Sequence, residues 1–216
     1  MKANKPLEIS VIGNFTPGKD AFTSEMLRFL PNPAYANARD MEKEARQWTE
    51  ADTRGFDVPL MKRAVNEIYG TKKADRDIVV VDSIAPPLFL EGYHPERKIN
   101  IGGDEDGYTY DYAFDDDGDE KKMRAAARQA VYEMLSAMFS EGAVGDMMSR
   151  EIEGWEDAID PKTLTRDAMT DMVRRKNEKL KFLRKNGLIY PEDKHRLSKI
   201  IRAVRRSMNV DTLIAA

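Results

Sequence analysis

Two glycines and a lysine stand at positions 13, 18 and 19, in the run Gly13-Asn14-Phe15-Thr16-Pro17-Gly18-Lys19. These are the first seven positions of the pattern G-x-x-x-x-G-K, in which loop amides cradle phosphate oxygens and the lysine reaches the terminal phosphates. That chemistry needs a strand before the loop and a helix after it, so that the helix N-terminus faces the anion. Leu7 to Gly13, LEISVIG, alternates and is β-branched enough to be a strand. The following AFTSEMLRFL sets Phe22, Met26 and Phe29 or Leu30 at helical spacing. A second apolar strand, Asp77 to Asp82, ends in an acid of the kind that organises magnesium beside a phosphate loop. In such a site Lys19 would contact the β- and γ-phosphates, Gly13 and Gly18 would shape the loop, and Asp82 would hold the metal.

Other features oppose this chemistry. The eighth position, where a hydroxyl normally reaches magnesium, is Asp20, and Pro17 removes one backbone N–H from the loop. The Gly-Lys-Asp at positions 18 to 20 resembles the loop of some small-metabolite and nucleotide kinases, in which Asp follows the Lys; the resemblance covers residues 13 to 20. Downstream, Ala85-Pro86-Pro87 and Leu88-Phe89-Leu90 lead quickly to Lys98–Ile101 and to Tyr108–Phe114. Such short spacing predicts an antiparallel meander or hairpin rather than the crossovers of a doubly wound sheet. No Arg-rich lid segment follows. The leading expectation is therefore a strand-to-helix turn, with a degenerate nucleotide loop as an alternative.

Further catalytic sets are hard to draw. The chain has no cysteine, which excludes disulfides, thiolate metal sites and cysteine nucleophiles. Its two histidines, His94 and His195, each stand beside charged or turn residues and are expected to be exposed. Setting Gly118 or Gly107 at the sixth position of a calcium loop leaves Arg124 or Ala113 where a bidentate Glu is required. The sequence assigns no catalytic residue, no cofactor and no metal ligand.

Charge is the strongest remaining signal. Met172 to Arg206 holds thirteen Lys and Arg against three acids, although the whole chain has a net charge of −3. Asp104 to Glu120 holds nine acids and no base, with Tyr108, Tyr110, Tyr112 and Phe114 alternating through it. The candidate partner- or nucleic-acid-binding residues are Arg174, Arg175, Lys176, Lys179, Arg184, Lys185, Lys199, Arg202, Arg205 and Arg206 on the basic side. Asp104, Glu105, Asp106, Asp115, Asp116 and Asp117 form the acidic side. Opposite segments of this kind can join neighbouring copies head to tail, and many cations can hold nucleic acid through its phosphates.

These elements imply an α+β fold, predominantly helical, with a small mixed sheet and a C-terminal αα-hairpin. Residues 1–145 are read as an α/β body carrying an acidic β-hairpin at 98–120, and 146–216 as a helical region with a basic hairpin at 161–208. The sequence reads as helical from Ala34, with Asp57 capping a second helix that stops at Gly70. Met123, Ala127, Val131, Met134, Leu135, Met138 and Phe139 form a helical stripe expected in the core. The 34% charged content and mean hydropathy of −0.62 suit polar partner surfaces. No apolar run reaches membrane-span length, and the start lacks a signal-peptide core. The leading functional expectation is a non-enzymatic assembly subunit, a homo-oligomer or part of a larger complex, in the cytoplasm or a virus particle. The alternatives are a nucleic-acid-binding protein and a P-loop-like phosphotransferase.

Overall fold

The computed structural model describes residues 5–49, 57–102, 107–114, 118–158, 176, 178–196, 198, 199 and 202. The fold is α+β and predominantly helical, with a small five-stranded sheet in the order β2-β3-β1-β4-β5. Its elements are β1 (Leu7–Ile12), α1 (Pro17–Phe29), β2 (Pro33–Asn37), α2 (Ala38–Thr49), α3 (Val58–Lys73), β3 (Ile78–Ser83), β4 (Arg97–Ile101), β5 (Tyr110–Tyr112), α4 (Glu120–Ser140) and α5 (Gly145–Ala158). The chain divides into two compact units, Met1–Met134 and Leu135–Ala216.

Every strand pair in the first unit is parallel, so the sheet is not mixed and the 98–120 stretch is not an antiparallel hairpin. Residues 84–96 carry the chain from β3 to the parallel β4 as a crossover without a helix. Asn66 of α3 fastens it by donating to Phe89 O at 2.8 Å and accepting from Glu91 N at 3.1 Å. Leu90 enters the core beneath it, with Phe89 and Tyr93 packed alongside. A helical crossover is thus replaced by a strap tied down by the Asn66 amide and by Glu96, whose carboxylate accepts from Glu8 N at 2.8 Å.

β2 also departs from the sequence reading, which begins a helix at Ala34. Pro33–Asn37 is a strand whose Ala34 and Ala36 pack with Val79 and Val81 of β3 against Met41 and Ala45 of α2 and Met61, Ala64, Val65 and Ile68 of α3. Period-two alternation is present there, but small alanines give it little apolar weight. α3 begins at its expected cap, with Asp57 Oδ1 accepting from Leu60 N at 3.1 Å, and continues past Gly70 to Lys73. On the opposite face of the sheet Phe22 of α1 packs on Tyr112 and Phe114, with ring centroids 5.3 and 6.0 Å apart. Both faces are therefore covered, as a parallel sheet requires, and all six residues of β3 are buried.

In the second unit Leu135, Met138, Val144, Met148, Ile152 and Trp155 are buried, together with Leu180, Leu183, Leu188 and Ile189. Residues 178–185 are helical, a turn follows at 186–187 with Gly187 at φ 69°, and residues 191–196 are helical again. The stripe is buried from Met123 to Met138, as expected, but its last member, Phe139, is only half-buried. No helix among the described residues is long and apolar enough to cross a membrane.

Candidate phosphate-binding site

A parallel sheet sends all its strand carboxyl ends to one edge, where α/β proteins place their ligands. β1 is the central strand and β3 its neighbour, paired from Leu7↔Ile78 to Ile12↔Ser83. The glycine loop leaves the end of β1, and Asp82 and Ser83 close β3 beside it. Gly13 turns the chain at φ 145°, and a Cβ placed there would lie 2.3 Å from the Ile101 carbonyl oxygen. Only glycine satisfies both constraints. Gly18 is restricted by proximity alone, since a Cβ would meet the Phe114 Cβ at 2.7 Å.

The loop ends in a capped helix. Thr16 accepts from Lys19 N at 3.2 Å, and Pro17 is the first residue of α1. There its missing N–H leaves no helical hydrogen bond unmade, so Pro17 suits this turn, although it still offers no amide to an anion. Asn14, Phe15, Thr16 and Pro17 are exposed, whereas Gly18 and Lys19 are buried.

Lys19 is one of the largest fully enclosed side chains among the described residues. Its ammonium donates to Gly13 O at 2.8 Å and Ser83 O at 2.6 Å, and it pairs with Asp82 Oδ1 at 2.6 Å. A lysine ammonium has three protons, and three acceptors surround it. The other oxygen of Asp82 accepts from the Tyr35 hydroxyl at 2.7 Å, and Asn37 Nδ2 donates to that hydroxyl at 3.2 Å. Although the Tyr35 residue is 39% exposed, partial burial of its phenol pushes it up to about 12; the Asn37 contact opposes this, and Asp82 adds to it. Lys19 Nζ also lies 5.1 Å from the Phe15 ring centroid, and the Arg39 guanidinium lies 5.9 Å from the same ring. Beside Phe15 opens a cleft of about 660 Å³, lined also by Asn37, Arg39, Asp40, Glu42, Lys43 and Arg46.

Lys19, Gly13, Gly18 and Asp82 thus come together as the nucleotide alternative requires. The sequence reading missed Tyr35 and Asn37, because β2 was not recognised; its register, Tyr35↔Val80 and Asn37↔Asp82, is what brings them to Asp82. Asp20, at the eighth position, is exposed on α1. Among the described residues no group of three or more His, Cys, Asp or Glu is arranged to hold a metal ion.

The charge-segregated residues fall differently. Asp104, Glu105, Asp106, Asp115, Asp116 and Asp117 lie outside the described residues, as do Arg174, Arg175, Arg205 and Arg206. Arg184, Lys185, Lys199 and Arg202 are exposed. Lys179 is not a surface cation: it is 5% exposed and pairs with Glu151 at 2.5 Å. Burial lowers its pKa, against the opposing pull of Glu151. It belongs to the apolar line through Leu180 and Leu183, which tolerates a lysine only where a carboxylate meets it. Lys176 is half-buried, with its ammonium 5.0 Å from the Trp155 ring centroid. His94 and His195 are both exposed. No protein-family description and no curated protein matches the chain.

Proposed function

We propose that this chain binds a phosphorylated ligand of the nucleoside triphosphate class at the loop from Gly13 to Lys19, and that it acts as a P-loop-like phosphotransferase. The observation that carries this reading is the convergence of Lys19 and Asp82 within 2.6 Å at the carboxyl ends of adjacent central parallel strands. A turn that served only to join strand and helix would not need a fully enclosed lysine. Burying an ammonium and a carboxylate is costly even when they are paired, and such placements concentrate at functional sites. Lys19 would shift from Asp82 to the phosphate oxygens, while Gly13 and Gly18 keep the backbone close to them. Asp82 would face magnesium brought in with the nucleotide, an ion that one or two carboxylates plus phosphates suffice to hold.

Calorimetric titration with ATP and magnesium tests this reading. Saturable binding by the parent protein, abolished in Lys19→Ala, is expected. No binding by the parent would end it.

The exposure of Arg184, Lys185, Lys199 and Arg202 favours a second reading, in which the C-terminal region meets nucleic acid or the acidic segment of another copy within a larger assembly, in the cytoplasm or a virus particle. Light scattering should then give a multi-subunit mass that falls as salt rises, and a gel-shift assay should detect any nucleic-acid binding. A salt-independent monomer that retains no nucleic acid would rule this out.

A further inference from the structure

We propose that Tyr35 is a positioning residue for the loop site, holding the Asp82 carboxylate in place while a bound phosphate draws Lys19 away. The inference rests on the phosphate reading of the loop and extends it to a residue that would not touch the ligand. Lys19 faces Oδ1 of Asp82 at 2.6 Å as an ion pair without a hydrogen bond, and the Tyr35 hydroxyl donates to Oδ2 at 2.7 Å. Two ammonium protons of Lys19 go to Gly13 O and Ser83 O, and its charge is paired with Asp82 Oδ1, which accepts no hydrogen bond. Because the ammonium is fully enclosed, a phosphate contact made by Lys19 draws it away from one of these partners.

Asp82 is the partner most readily exchanged, because a phosphate oxygen replaces one anion with another. Asp82 is 2% exposed, so without Lys19 it would be a buried carboxylate with little access to water. The Tyr35 hydroxyl is then its remaining protein donor, and a hydrogen bond to a buried charge is stronger than one between neutral groups. The phenol is itself held by Asn37 at 3.2 Å, and Asn37 Oδ1 accepts from Asp40 N at 3.2 Å in the first turn of α2. Tyr35 thus connects the lysine–carboxylate pair to the start of α2, at the edge of the cleft beside Phe15. Its role is larger in the bound state than in the free one, because Lys19 supports Asp82 only when the loop is empty.

The test uses the full chain, ATP with magnesium, and two readouts. Calorimetry on Tyr35→Phe should show binding weakened about tenfold, the scale expected when a buried charge loses its hydrogen bond. Tyr35→Phe should also weaken binding more than Asn37→Ala does. In parent protein labelled with ¹³C at the tyrosine Cζ, the Tyr35 resonance is the one missing from Tyr35→Phe. It should shift saturably with ATP, at the calorimetric midpoint, because the phenol then faces a carboxylate that Lys19 no longer neutralises. A purely structural tyrosine would show no such shift. ATP binding by the parent with neither weakening in Tyr35→Phe nor movement of the resonance would overturn the role of Tyr35 and leave the loop reading standing. Absence of ATP binding by the parent would overturn both.

Discussion

The ammonium of Lys19 and the carboxylate of Asp82 meet at 2.6 Å with neither side chain in appreciable contact with solvent. In a buried pair the desolvation cost offsets much of the attraction, so the pair is worth little against an apolar replacement, while removing one member leaves an uncompensated charge. Lys19→Met and Asp82→Asn should each lower the unfolding free energy by about 3–5 kcal/mol, and the double variant should recover much of that loss. Urea denaturation of all four proteins gives the coupling directly. Additive losses would show that the two groups do not depend on each other.

Gly13 and Gly70 should respond oppositely to alanine. At Gly13 a methyl group meets the Ile101 carbonyl oxygen at 2.3 Å in a backbone conformation of φ 145°, and no side-chain motion relieves a clash with backbone. Gly13→Ala should cost about 1–3 kcal/mol or prevent folding. Gly70 lies within α3 with nothing within 4 Å of an added Cβ, so Gly70→Ala should stabilise by about 0.5–1 kcal/mol. Thermal melts of the two variants check the contrast.

The basic C-terminal region should divide into core and surface cations. Lys179→Ala removes the buried partner of Glu151 and should cost about 3–5 kcal/mol. Arg184→Ala, at an exposed position, should stay within about 0.5 kcal/mol of the parent. Equal effects in denaturant titrations would contradict the packing described for Lys179.

Alkaline pH should destabilise the first unit through phenols that are wholly or partly buried, Tyr69 most of all. Burial pushes Tyr35 and Tyr112 each up to about 12, and raises Tyr69 and Tyr93 as well. A group with a raised pKa in the folded state holds its proton there after the unfolded chain has begun to lose it. Its stabilisation is therefore complete below the ordinary phenol pKa of 10.0 and declines as pH rises toward about 12. Melting temperature recorded from neutral pH upward should fall above that point, and Tyr69→Phe should make the fall shallower. A parent curve that stays flat through this range would argue against the raised phenol pKa values.

The parts of the site that could be read from residue order are those with a local signature. β1, its glycine loop, α1 and the acid-ended β3 each declare themselves by alternation, helical spacing or a terminal carboxylate. What could not be read depends on contacts between distant segments. The parallel β4 is reached through residues 84–96, which Asn66 helps to hold, and a single amide at a helical position carries no pattern. Tyr35 reaches Asp82 only because β2 lies beside β3, and the alanines of Pro33–Asn37 made that strand inconspicuous. Lys179 could have been placed inside: it follows Lys176 by three residues and adjoins Leu180 and Leu183 on the same helical line. Its charge masked its position, and Glu151, which makes its burial tolerable, belongs to another helix.

The central claim is that Lys19 exchanges Asp82 for phosphate. A crystal structure of the full chain with a non-hydrolysable ATP analogue and magnesium tests it most directly. The account predicts the terminal phosphates against the loop from Gly13 to Lys19, Lys19 Nζ within about 3 Å of a phosphate oxygen, and Asp82 still held by Tyr35. An analogue bound elsewhere, with Lys19 still paired to Asp82, would contradict it.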